Sequence, residues 1–571
     1  MIRAKITTGL VSLMFLFLIF GLFNLEIIHG RDYRELGDRN CIRLLAQNGS
    51  RGRVLDRNGM VIADNKLSYD LMILPQDSLW QEKIFQKVSR ILGKSVKELD
   101  LEFKKRFLTK SMPVTIARNL ELKQAIALDE ARVDFPSIIV HPNPIRRYPN
   151  SKLACHLLGY LGEIDRWRLT KLEDYGYNTK DVVGFGGVEE KYDYYLRAEE
   201  GGISFQVDHR GRFIRNLGFK PPVNGKDIQL TIDIRVQKIA ESVLEGRKGA
   251  VVIMNPYSGE IIAMASSPGF NPKDFIIQDN TNVARLFNDR DSPLINRAIS
   301  GTYPAGSVFK MIVAAAALEN KKINQNTSFL CRGGARIGKQ EFKCWGVHGQ
   351  QNLIEALTHS CNVFFYKTGL LVGAQSIHDY ALKFGLSRPA SFDLPYEKAG
   401  FIPSPLWRKV NKFQSWFDGD TVNLSIGQGD VLVTPLQIAR MTAVFANGGY
   451  LVTPYITKAV DGKYIVKRNK KAEKLNLKAS TIGYIREGLR GVVRDPNGTG
   501  NILSGVGVTV AGKTGTAQAP PHQAHAWFCG FFPFEKPKFV ITVLLEHGGP
   551  GYNSAVLSKR IIEEMKAQDL L

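Results

Sequence analysis

Residues 6–23 carry no charged side chain, in a chain of 571 residues whose formal net charge is +22. With Leu25, Ile27 and Ile28 just beyond, the run is long enough as a helix to cross a bilayer core of roughly 30 Å. No other segment constrains the fold as much, because a membrane span separates a short tail from everything that follows. A cleaved signal peptide would have an apolar core of about 7–15 residues and a small-residue cleavage site. Here the run is longer, and Leu25-Glu-Ile-Ile-His29 follows with no Ala-x-Ala. The reading is an uncleaved anchor over residues 6–28. Arg3 and Lys5 hold residues 1–5 on the cytoplasmic side, and the rest of the chain is exported.

The excess of positive charge alone would allow nucleic-acid binding. The basic residues are scattered, however, with no basic arm and no aromatic-basic groove. An exported chain would not meet nucleic acid, so the charge suits anionic headgroups or an acidic wall polymer better.

Six cysteines in an exported chain raise the question of disulfides. Cys331 and Cys344 flank a Gly-rich loop and are the best candidate pair. Cys344, His348 and Cys361 are alternatively parts of a zinc site, although their spacing matches no standard zinc motif. Free structural thiols are the third reading. Cys41, Cys155 and Cys529 have no obvious partner, and Cys529 reads as a small hydrophobe inside a strand.

Residues 30–48 are charged and amphipathic and read as a membrane-proximal helix. Residues 49–218 read as a mixed region, with strands near Val54 and Val114 and helices over 80–92 and 120–132. Arg51, Asp56 and Glu189 are expected to hold it together through internal ion pairs. The breaker cluster Pro221-Pro-Val-Asn-Gly225 marks a boundary. Beyond it come a strand over 227–232, a helix over 234–245, and paired strands over 249–255 and 260–266. A mostly helical middle follows, then strands over 505–512, 526–532 and 538–545, and a helix over 554–567.

The chemistry lies in this second half. Ser307-Val-Phe-Lys310 is the only place where a serine is followed three positions later by a lysine. Strong helix formers follow it, so the lysine amine can reach the serine hydroxyl across one turn. The serine would also sit at a helix N-terminus, where free N–H groups favour negative charge. A hydroxyl with a base one turn away can act as a nucleophile without histidine. Ser360-Cys361-Asn362 is the only S-x-N, and an apolar run follows it. Lys-Thr-Gly occurs twice. Lys367-Thr-Gly369 lies in a helical stretch, whereas Lys513-Thr-Gly515 follows β-branched alternation on a strand, where Gly512 and Gly515 allow close approach of a ligand. Lys513 is therefore taken as functional and Lys367 as a decoy.

The order S-x-x-K, S-x-N, K-T-G resembles the signature set of penicillin-binding proteins and serine β-lactamases. Arg51-Gly-Arg-Val-Leu-Asp-Arg-Asn-Gly59, Arg147-Tyr-Pro149, Gly186-Gly-Val-Glu-Glu190, Leu424-Ser-Ile-Gly-Gln-Gly429 and His525-Ala-Trp-Phe528 narrow the resemblance to class B penicillin-binding proteins. It runs from about residue 50 to the C-terminus. The block from Cys331 to His348 is more similar to the elongation branch than to the division-specific paralogue. The resemblance implies an α/β (α+β) transpeptidase domain over 221–571 of the penicillin-binding/serine β-lactamase type. It also implies a mixed α+β pedestal over 29–220 behind the transmembrane helix, at the bacterial cytoplasmic (inner) membrane with the catalytic domain on its outer side.

The implied reaction is D,D-transpeptidation of peptidoglycan through a Ser307 acyl-enzyme, with no cofactor. Lys310 would be the base, its pKa lowered by burial and by a nearby Lys513 ammonium. Ser360 would relay a proton, Asn362 would orient Lys310, and Lys513 would set polarity. Thr514, Gly515 and Thr516 would bind the terminal carboxylate, with the N–H groups of Ser307 and Thr516 as oxyanion donors. The implied partners are stem peptides ending in D-Ala-D-Ala, β-lactams, and a polytopic membrane glycosyltransferase of the elongation machinery. A β-lactamase, a D,D-carboxypeptidase, a β-lactam sensor and an inactive scaffold fit less of the motif set and its N-terminal module.

Overall fold

The computed structural model describes residues 2–75, 78–107, 113–179, 181–207, 213–277, 280–464 and 472–571. The N-terminal run forms helix Ile2–Phe23, continued by a π-helical turn at Asn24–Ile28. Residues Lys5–Ile28 are long and apolar enough to cross a membrane. The membrane-proximal segment is helical only over Gly30–Cys41, and Ile42–Gln47 is a strand. The side chain of Cys41 lies outside the described residues.

The chain packs as two compact units, one of residues 1–52, 65–147 and 197–226 and the other of 53–64, 148–196 and 227–571. In the first, Ile42–Gln47, Gly201–Val207 and Phe213–Lys220 form an antiparallel sheet. Helices Ser78–Leu92, Val96–Arg106 and Leu122–Ala131 enclose a separate core around Leu71, Phe85, Val88 and Ile116. Ser95 and Glu98 close a reciprocal capping box at the start of the second of these helices.

In the larger unit, Val54–Leu55 pairs in parallel with Ile228–Leu230, and Arg53 forms an ion pair with Asp227 at 2.6 Å. Buried Asp56 works differently from the expected ion pairs. It accepts backbone N–H groups from Asn58 (2.7 Å), Met60 (2.8 Å) and Ile234 (3.3 Å), fixing a turn. The Ile234 N–H is buried and would otherwise lack this acceptor.

The centre of this unit is a five-stranded antiparallel sheet in the order Ile261–Ser267, Gly249–Met254, Phe539–Leu545, His522–Phe532, Ala511–Ala519. Strands from both ends of the region therefore lie side by side, as expected from the sequence. Residues 505–510 are not a strand, because the edge strand begins at Ala511. The inner strands Gly249–Met254 and Phe539–Leu545 are buried on both faces, which explains their nearly unbroken apolar sequences. Val251, Ile253, Phe528 and Phe532 face a cluster with helices Ile234–Ser242 and Tyr552–Ala567. Alternate residues Val252, Met254, Trp527 and Phe531 face the main core, which includes helices Pro435–Ala446 and Lys310–Glu319. Ala314, Ala315, Ala316 and Ala317 are all fully buried. Small side chains there let neighbouring helices pack close to a helix with no exposed face.

Candidate active site

Ser307 lies on the 3₁₀ turn Gly306–Phe309, and Lys310 is the first residue of the α-helix that follows. The Lys310 N–H donates to Ser307 O across the end of this turn, and residues three apart in a 3₁₀ turn share one face. Gly306 makes the position of this turn possible. It sits at φ 57°, its N–H donates to Gly427 O at 2.8 Å, and a Cβ there would lie 2.8 Å from Thr516 O. The first motif is thus pressed against the third with no room for a side chain between them.

Lys310 is fully buried. Its Nζ donates to Asn362 Oδ1 at 2.7 Å and to Ser360 O at 2.8 Å, with Ser360 Oγ at 3.3 Å. Ser360 has φ 54°, the left-handed region, which costs a non-glycine residue about 1–2 kcal/mol. That turn ends helix Leu353–Thr358 and starts helix Asn362–Val372, and it aims the Ser360 carbonyl and the Asn362 side chain at one point. Burial lowers the Lys310 pKa to about 8. A neutral amine can give its two N–H bonds to Ser360 O and Asn362 Oδ1 and keep its lone pair for a proton.

Lys513 is also fully buried on strand Ala511–Ala519, with Nζ donating to Thr514 O at 3.1 Å. Its pKa falls well below the ordinary lysine value, first from burial and then from repulsion by Lys310. Desolvation is the largest cause of the lowering at both amines, and their mutual repulsion adds to it at Lys513. Lys367 sits on helix Asn362–Val372, its ammonium over the Phe329 ring.

Buried Thr514 hydrogen-bonds Thr499 at 2.7 Å, whereas Thr516 is exposed and its Oγ1 accepts Gly551 N–H at 3.0 Å. Gly515 leaves room for Val308 and Trp527, each 3.1 Å from where its Cβ would be. This strand is the sheet edge, so its outer side can pair with an extended peptide. Two supporting residues were not assigned from the sequence. Gln428 donates to Thr516 O at 3.3 Å, and Thr499 meets Thr514. Gln428 lies in a block noted only for resemblance, and Thr499 carried no signal.

The disulfide reading of Cys331 and Cys344 does not hold, since both are free thiols. Cys331, Cys344, His348 and Cys361 instead place their donor atoms within 4.8 Å of one another. His348 Nδ1 lies 3.5 Å from both the Cys331 and the Cys344 sulfur. Donors bound at about 2.3 Å to one tetrahedral centre lie about 3.8 Å apart, so three thiols and an imidazole in this cluster suit Zn²⁺. Asn362 N–H donates to Cys344 Sγ at 3.2 Å, which ties the cluster to the S-x-N turn.

Residues 249–565 match the model of the penicillin-binding protein transpeptidase domain, and residues 46–230 match that of the penicillin-binding protein dimerisation domain. The chain belongs to the penicillin-binding protein family. A peptidoglycan D,D-transpeptidase MrdA from Acinetobacter baumannii is 31% identical over 98% of this chain and 87% of its own length. The Helicobacter pylori PBP2 solved in complex with MreC superposes with a TM-score of 0.83 at 29% identity, covering 93% of this chain and 100% of its own. A chain from a peptidoglycan synthase complex that coordinates polymerization and crosslinking matches with a TM-score of 0.73 at 26% identity, covering 98% of each chain. Within the family the likeness is to penicillin-binding protein 2.

Proposed function

We propose that this protein is the elongation-type peptidoglycan D,D-transpeptidase of its cell and that Ser307 is its nucleophile. The observation that carries the reading is the convergence on Lys310: a buried amine with two acceptors, one turn from a serine that rests against the Lys513 strand.

Ser307 Oγ attacks the carbonyl of the penultimate D-alanine while the Lys310 lone pair takes its proton. The oxyanion is held by the N–H groups of Ser307 and Thr516, donors that typically contribute on the order of 10²–10³ in rate each. Collapse breaks the peptide bond, and the leaving D-alanine amine takes a proton through Ser360. An amine from a neighbouring stem peptide then attacks the ester and loses a proton to the Lys310 amine. The Ser307 C–O bond breaks as the crosslinking amide forms, and Lys310 returns the proton to Ser307 Oγ. Lys513, Thr514 and Thr516 line the strand where the substrate's terminal carboxylate sits, and Gly515 gives it access to the backbone. β-Lactams imitate the D-Ala-D-Ala end and acylate the same serine.

Residues 6–28 anchor the enzyme, 29–220 act as the pedestal and 221–571 as the transpeptidase domain, on the outer side of the cytoplasmic membrane. Strand polymerisation comes from a polytopic membrane glycosyltransferase. The synthase complex to which the chain is similar supports that pairing. Cys331, Cys344, His348 and Cys361 hold a structural Zn²⁺, a closed four-ligand site that staples the loop to the S-x-N turn.

The test is acylation by a labelled penicillin. Wild type and Lys367→Ala are expected to label, and Ser307→Ala to remain unlabelled. Label on Ser307→Ala would overturn the assignment, and loss on Lys367→Ala would show that the functional Lys-Thr-Gly had been misassigned.

A further inference from the structure

We propose that Trp345 is a positioning residue for acylation, acting through the main chain of the S-x-N turn. Its indole Nε1 donates to His359 O at 3.1 Å and to Ser360 O at 3.3 Å. The second of these is the carbonyl that also receives Lys310 Nζ at 2.8 Å. One backbone oxygen therefore accepts both the catalytic amine and the indole. Its position fixes how far the Lys310 amine stands from the Ser360 hydroxyl.

Two features show why this turn needs an outside hold. Ser360 is left-handed at φ 54° without being glycine, and such conformations persist only where the surroundings over-determine them. The carbonyls on either side of that strained residue are the two that Trp345 grips. Trp345 does this while 62% exposed. Burial in a core therefore does not account for a tryptophan here, and the N–H contact does. The ring itself is steadied edge-on by His348, with centroids 4.9 Å apart.

Removing the N–H while keeping an aromatic ring should let the Ser360 peptide relax and spoil the alignment of the amine. Misplacement by about 1 Å can cost on the order of 10²-fold in rate. The loss belongs to the chemical step and not to initial binding, because the indole N–H is committed to the two main-chain carbonyls.

This inference rests on Ser307 being the nucleophile. The experiment is stopped-flow acylation of the full-length, detergent-solubilised protein by a fluorescent penicillin, separating the binding constant from the acylation rate constant. Trp345→Phe is expected to lower the acylation rate at least ~10-fold, with binding within about twofold and melting temperature nearly unchanged. In Asn362→Ala, where Lys310 has already lost an anchor, adding Trp345→Phe should cost much less than it does alone. Wild-type acylation by Trp345→Phe, or equal losses in binding and rate together with a large drop in melting temperature, overturns the positioning role. Labelling that survives Ser307→Ala would instead remove the parent reading, so the two failures are distinguishable.

Discussion

Lys310 Nζ and Asn362 Oδ1 lie 2.7 Å apart, one at the start of each of two buried helices. The Asn362 oxygen is an acceptor, and it makes the difference between an amine free to rotate and one whose remaining lone pair has a fixed direction. Asn362→Ala should therefore lower acylation by on the order of 10²-fold, within the usual range for a general base that is misplaced or lost. Asn362→Asp should behave differently. A carboxylate beside Lys310 favours the ammonium, so the pH at which acylation rises should move upward. An unchanged midpoint in a pH–rate profile of Asn362→Asp would contradict this.

The pH dependence of the wild type follows from the depressed Lys310 pKa of about 8. The neutral amine is the active form, and its population grows as pH rises through that value. Acylation should climb roughly tenfold per unit well below pH 8 and level off above it. Rates measured between pH 6 and 9 decide the matter, and a rate that falls over this interval would exclude Lys310 as the base.

Gly306 supports the site by letting the Ser307 turn lie against Thr516 and Gly427. At φ 57°, Gly306→Ala must bear a left-handed penalty of about 1–2 kcal/mol and a Cβ pressed against Thr516 O. The variant should melt at lower temperature and lose most of its acylation rate. Gly218→Ala, at a glycine with nothing within 4 Å of its Cβ position and no left-handed φ, should retain both.

The Cys331, Cys344, His348 and Cys361 cluster predicts about one equivalent of zinc in the purified protein, in line with a closed four-ligand site. Elemental analysis should find it in the wild type and find it depleted in Cys361→Ser. A strong chelator should lower the melting temperature. Metal-free protein with an unaltered melting curve would rule the ion out.

Much of the site was legible because the chemistry dictates residue type and order. A serine nucleophile without histidine needs a nearby amine, and Ser307 and Lys310 are the only S-x-x-K pair. The two Lys-Thr-Gly copies were separable because one sits among helix-forming neighbours and the other opens a sheet edge. Of the metal cluster, Cys344, His348 and Cys361 were one of three open alternatives, but Cys331 was not joined to them, because a hairpin and a helix separate Cys331 from Cys361 and their separation in sequence says nothing about their distance. Residues 505–510 were misread as strand because β-branched alternation gives a strand only where a neighbouring strand is there to pair.

The sequence by itself determined the apolar N-terminal segment, the identities of the reactive groups and the approximate places of the central strands, since each follows from composition or spacing along the chain. Tertiary structure decided how those groups are oriented and charged. It set Ser307 on a 3₁₀ turn directly before the Lys310 helix, aimed the strained Ser360 carbonyl at Lys310, and shifted the Lys513 pKa further through its proximity to Lys310. The physical reason is that desolvation and electrostatic repulsion depend on distances through space, which the order of residues along the chain does not specify.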